Sequence, residues 1–142
     1  VTAGGVDSYL FDASALIEYF VRGKKPRPLT RLANDGRLQV PQRVHREVVK
    51  ANDRARTWTE RHRDKVVIRE TDANIAHLER VSRAHAGVLT TAKGAADPIV
   101  VAMAIYYPER VVVTEDRGVQ VACHLERVRW VPLDVFLRVE GI

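Results

Sequence analysis

The chain has almost no cysteine. Cys123 is the only one, so no intramolecular disulfide can form. That usage fits a reducing, cytoplasmic compartment. Long apolar runs are also missing. The longest extends from Pro98 to Tyr107, well short of the roughly 20 residues that cross a bilayer, so no membrane association is expected. Val1-Thr2-Ala3-Gly4-Gly5 has no basic segment leading into an apolar one, and no secretory signal is read there. There is no internal repeat, low-complexity tract or linker. The expected organisation is a flexible lead-in at 1–7 and one domain at 8–142. The five histidines (45, 62, 77, 85 and 124) have no metal-ligand spacing, so none is given a catalytic role. Cys123, next to His124, reads as a small buried apolar residue rather than a nucleophile.

What is present is an ordinary globular composition, 46% hydrophobic and 29% charged over 142 residues. The net charge is +5 and the sequence pI about 9.7. Basic charge alone fits either a polyanionic partner or a compositional bias in a chain rich in arginine. Short β-branched runs alternate with helical segments, which predicts an α/β fold. About five strands are expected in a parallel sheet, with helices on both faces. The strands are placed at Tyr9–Phe11, Leu38–Val40, Val66–Ile68, Val111–Thr114 and Val128–Val131. Helices are expected at Ser14–Val21, Leu29–Asn34, Val44–His62 (with a break near Asn52), Thr71–Asp72 to about Ala86, Asp97–Tyr107 and Leu133–Arg138. Ser14 is expected to cap the first of these, and Asp97, before Pro98, to cap the Ala-rich one.

Four acids stand where an apolar run stops or a helix begins: Asp12, Glu47, Asp97 and Asp116. Each has a plain alternative. Asp12 and Asp116 suit turns, Asp97 suits a helix cap, and Glu47 suits a solvated helix face. In a parallel sheet, however, all carboxyl ends share one edge, and ligands bind there. Carboxylates gathered at that edge repel one another unless a cation lies among them, which points to Mg²⁺ or Mn²⁺ and phosphoryl chemistry. A nucleic-acid substrate would account for acids inside a basic protein. Lys93 and Arg117, close in sequence to Asp97 and Asp116, are candidate substrate-binding cations. So is the basic stretch containing Lys50, Arg54, Arg56, Arg61 and Arg63, although solvated helix positions explain most of that set. Trp58 and Trp130 could stack on bases, but a core or interface position suits both better.

The chain resembles the PIN-domain family over nearly its whole length. The resemblance rests on Leu10-Phe11-Asp12-Ala13-Ser14, Val40-Pro41 through Glu47-Val48, Ala96-Asp97-Pro98 opening an Ala-rich helix, Val112-Val113-Thr114-Glu115-Asp116, and Val131-Pro132-Leu133. It implies a Mg²⁺- or Mn²⁺-dependent endoribonuclease site. Asp12, Glu47, Asp97 and Asp116 would be catalytic, and Asp12, Asp97 and Asp116 would be the metal ligands. Ser14 and Thr114 would be supporting hydroxyls, and Glu115 could substitute for Asp116 or add to it. The chain is most like a VapC-type toxin, which implies an RNA substrate, a VapB-like antitoxin and a homodimer. Two other readings stay open: a non-catalytic RNA-binding or protein-interaction module, and an RNA-processing nuclease outside toxin–antitoxin systems. A phosphoacceptor receiver-like domain fits poorly, because the paired acids and the lysine it needs are absent.

Overall fold

The computed structural model describes residues 7–90 and 95–142. The expected lead-in, apart from Asp7, lies outside the described residues. Five parallel strands form one sheet in the order β3-β2-β1-β4-β5, flanked by helices. They are β1 (Ser8–Phe11), β2 (Leu38–Pro41), β3 (Val67–Ile68), β4 (Arg110–Val113) and β5 (Trp130–Val131). The chain builds outward from β1 through β2 to β3, then returns to the other side of β1 for β4 and β5. The reversal falls between β1 and β4. Those strands pair from Ser8 opposite Arg110 to Phe11 opposite Val113.

Tyr9, Leu10 and Phe11 are each no more than 2% exposed. Successive strand residues point to opposite faces, so burial of all three means that both faces of the sheet are covered. Helix α1 (Ala13–Val21) follows β1, and α2 (Arg27–Asn34) leads into β2. Gly36, at φ +70°, turns the chain after α2. The charged segment breaks where expected, into α3 (Gln42–Ala51) and α4 (Asp53–Arg61). The split falls at Asn52, whose extended backbone lets its side chain accept the Ala55 N–H at 2.9 Å and cap α4. A short α5 (Arg63–Val66) precedes β3.

Two helix expectations need correction. The helix expected from residue 71 begins only at α6 (Leu78–Ala84). Thr71 and Asn74 instead exchange side-chain-to-backbone hydrogen bonds, and Asn74 Nδ2 donates to the Arg69 carbonyl. Such local bonds compete with helix formation. Between β4 and β5, where no helix was expected, lies α8 (Arg117–Leu125), burying Val119, Ala122 and Cys123 at helical spacing. Cys123 is fully buried, and burial pushes its thiol up to about 12. Trp58 is also core, 4% exposed, with Nε1 donating to Thr30 at 3.0 Å.

Helix α7 (Asp97–Tyr106) is buried continuously from Pro98 to Ala104. A helix apolar on every side must be central, and α7 packs against β1, β2 and β4 as well as α6 and α8. No described helix is long and apolar enough to cross a membrane. The last helix, α9 (Leu133–Glu140), places Phe136 edge-on to Tyr9 and Phe11, with ring centroids 4.8 and 4.9 Å away. Phe136→Ala removes both ring pairings from a fully buried position and should destabilise the fold by about 3–5 kcal/mol. Urea unfolding measures this, and a loss below about 1 kcal/mol would mean that α9 does not close the core.

Candidate active site

Because Phe11 lies opposite Val113, the residues leaving β1 and β4 emerge side by side. They are Asp12, 2% exposed, and Thr114, fully buried. Thr114 Oγ1 donates to Asp12 Oδ2 at 2.8 Å, and Ser14 Oγ donates to the same oxygen at 3.0 Å. The Ala13 N–H donates to Asp12 Oδ1 at 2.8 Å. Each hydroxyl also accepts a backbone N–H at 3.0 Å, Thr114 from Asp116 and Ser14 from Glu115. A hydroxyl has one proton, so both protons are committed to Asp12. The network locks segment 114–116 to the first turn of α1.

The cap of α1 is therefore Asp12 and not Ser14. Asp12 has the extended backbone of a capping residue, which brings its carboxylate over the helix start and leaves Ser14 to bind that carboxylate. Asp97 also departs from expectation. Ala96 occupies the cap position of α7, and Asp97 is already helical, with no capping bond. Its Oδ2 accepts the Thr90 N–H at 3.2 Å instead. A side chain inside the first turn is poorly placed to fold back over the next amides, so this carboxylate faces the 87–90 segment. Glu47, on α3, accepts the Ala96 N–H through Oε1 at 3.3 Å, tying α3 to the start of α7. Asp116 caps α8, accepting the Val119 N–H through Oδ1 at 2.9 Å.

The four acids are electrostatically coupled. Burial pushes Asp12 up to about 7 against the pull of the Thr114 hydrogen bond, and the charge of Asp97 adds to the rise. Asp97 is raised by burial and then by Asp116. Glu47 is raised by partial burial and then by Asp97 and Asp116. Residues 12, 47, 97 and 116, from four separate segments, thus share one zone of negative potential. All its donors are hard carboxylate oxygens, the kind that suits Mg²⁺ or Mn²⁺ rather than Zn²⁺ or Cu⁺. Among the described residues, no three of His, Cys, Asp and Glu form a ready-made coordination shell. The acids are coupled without being converged.

Glu115 is employed elsewhere. Its Oε2 accepts the N–H of Leu133, the first residue of α9, at 3.1 Å, and its Oε1 pairs with Arg22 at 3.4 Å. Asp116, not Glu115, is the acid that acts on Glu47 and Asp97. Arg117 is exposed on the first turn of α8, and Lys93 lies outside the described residues. Lys50 is on α3, Arg54, Arg56 and Arg61 are on α4, and Arg63 is on α5. Three features were not read from the sequence: the Thr90 and Ala96 amides on Asp97 and Glu47, and the role of Gly118. A Cβ on Gly118 would collide with the Val88 carbonyl and crowd Asp116 Oδ1. Only glycine lets the 87–90 segment rest on the start of α8. An Asp-x-Gly-Val start with apolar residues spaced three and four apart was the available signal for that helix.

A family model described as a domain of unknown function, DUF4411, matches residues 9–141. No curated protein matches the chain.

Asp12 ionises at about pH 7 when folded, against an ordinary value of 3.8. Between those values the folded state holds a proton that the unfolded chain has released. Without divalent metal, stability should therefore fall as pH rises from about 4 to 7, by on the order of a few kcal/mol, then level off. Asp97 and Glu47 are shifted in the same direction and reinforce the slope. Urea melts across this range in EDTA should show the slope in the wild type and a shallower one in Asp12→Asn; equal slopes would refute the raised ionisation of Asp12. Separately, Gly118→Ala should destabilise the protein by about 1–3 kcal/mol and weaken hydrogen-exchange protection at the Thr90 amide. An unchanged Thr90 amide would mean that the 87–90 segment does not depend on this close approach.

Proposed function

The chain belongs to the DUF4411 family, and we propose that it is a metal-dependent endoribonuclease of PIN-like type, acting as the toxin of a VapBC-type pair in the cytoplasm. The observation that carries the reading is the coupling of Asp12, Glu47, Asp97 and Asp116 at the carboxyl edge of a parallel sheet, beside its β1–β4 reversal. Ligand sites occur at such reversals. Asp12, Asp97 and Asp116 would hold Mg²⁺ or Mn²⁺, which when bound supplies Lewis-acid polarisation of a phosphoryl oxygen and a nucleophilic hydroxide.

The protein's own groups have distinct parts. Thr114 and Ser14 occupy Asp12 Oδ2, leaving Oδ1, with its single bond to the Ala13 amide, as the oxygen able to take a further partner. Glu47, at the outer side, would orient a water. Arg117 would meet a phosphate of the substrate, and the net charge of +5 would draw a polyanion toward the site. The same reading implies a VapB-like antitoxin and a second copy of the chain as partners. A non-catalytic RNA-binding module is the second reading, favoured by the lack of a ready-made ligand trio among the described residues.

Cleavage of a labelled single-stranded RNA pool separates the two. Cleavage should require Mn²⁺ or Mg²⁺, stop with EDTA, and fall at least about 100-fold in Asp97→Asn, on the scale of losing a group that acts in the transition state. A folded, metal-supplied protein that binds RNA without cutting any of the pool would favour the binding module. Cleavage unchanged in Asp97→Asn would remove this site from the reaction.

A further inference from the structure

A concavity lined by basic groups shares helix α3 with Glu47 of the acid cluster. It measures about 400 Å³ and is formed by the first turns of α3, the short α5 and the end of β3. Arg46, Arg63 and Arg69 line it, with Asp64 the one acid in its wall. All three arginines are exposed. Other arginines are held in ion pairs, including Arg22 with Glu18 and Asp134, Arg37 with Glu140, Arg43 with Glu70 and Arg80 with Glu126. Among the described residues, Arg46, Arg63 and Arg69 have no such pair. His45 also lines the cavity, with its Nε2 shut off from solvent and without a hydrogen-bond partner among the described residues. Gln42, the first residue of α3, also lines the cavity, where helix amides lack intrahelical partners.

We propose that this cavity is a phosphate-binding subsite for the nucleic-acid strand that is cut at the acid cluster, an inference that rests on the ribonuclease reading. Three guanidinium groups against Asp64 in the wall and Glu60, whose charge also acts on His45, give a local excess of positive charge. The planar donor fork of arginine matches phosphate oxygens. The Gln42 amide adds a polar group of the kind that positions a backbone without reading its sequence. Placement supports a shared strand. Residues 42, 45 and 46 form one stripe of α3, whereas Glu47 projects from another face of the same helix, about 100° round from Arg46. The cavity and Glu47 thus lie on different faces of one helix, whose width with side chains is about 10–12 Å. A strand passing around the start of α3 would have one phosphodiester at the acids and a phosphate further along the strand among the arginines.

The test uses the full chain in EDTA, so that binding is read without cleavage. A fluorescent single-stranded oligoribonucleotide is titrated at several salt concentrations against wild type, Arg46→Gln/Arg69→Gln, and Arg138→Gln on α9, an element with no residue in this cavity. The double variant should bind at least about tenfold more weakly, and its salt slope should shrink by roughly 0.7 for each phosphate no longer neutralised. The Arg138→Gln variant should match wild type. Equal affinity and slope in all three proteins would overturn the subsite, whatever the cleavage assay gives. A result in which the double variant fails to bind only millimolar inorganic phosphate, with RNA binding intact, would also overturn it, since the cavity would then take free phosphate and not the strand. Weakened RNA binding in a protein that cuts no RNA would retain the subsite while rejecting the nuclease reading.

Discussion

The pairing of β1 with β4 governs the site. Register alone sets Phe11 against Val113, so Asp12 and Thr114 leave the sheet together. The hydrogen bond between them crosses 102 residues of sequence at 2.8 Å. Thr114 in turn accepts the Asp116 amide, which fixes the residue that caps α8. A slip of one residue in this pairing would reverse the facing of the β4 side chains and break the network.

Stability and site chemistry pull in opposite directions here. Burying Asp12 next to Asp97 disfavours its charged form, and the Ser14, Thr114 and Ala13 donors offset only part of that cost. Glu47 and Asp97 carry the same kind of penalty. A core organised only for stability would not gather these groups. A divalent cation would convert their mutual repulsion into attraction, which is the physical basis for reading the cluster as a functional feature.

Much of the fold was legible because its signals are local. The short β-branched runs marked all five strands. The buried run from Pro98 to Ala104 has a length and composition that fit a central helix. The α8 helix was missed because Thr114-Glu115-Asp116-Arg117-Gly118 reads as a turn, although the same residues form a strand exit and a helix cap. The late start of α6 was missed because the Thr71–Asn74 exchange is decided by side-chain bonds that periodicity does not reveal. At the site, the four acids could be named from the sequence, but what engages Glu115 could not. Leu133 and Arg22 reach it from distant elements. The arginine cavity was equally out of reach, since it gathers α3, α5 and the end of β3.

Whether the coupled acids form a divalent-cation site is tested most directly by calorimetric titration of Mn²⁺ into the metal-free protein near a pH of about 6.5, just below the Asp12 ionisation. Saturable binding accompanied by proton release is the expected result, because Asp12 is partly protonated at that pH. Binding should weaken markedly in Asp12→Asn and Asp116→Asn but not in Glu115→Gln. Absence of saturable binding at millimolar Mn²⁺, or binding unaffected by the first two substitutions, would contradict the site.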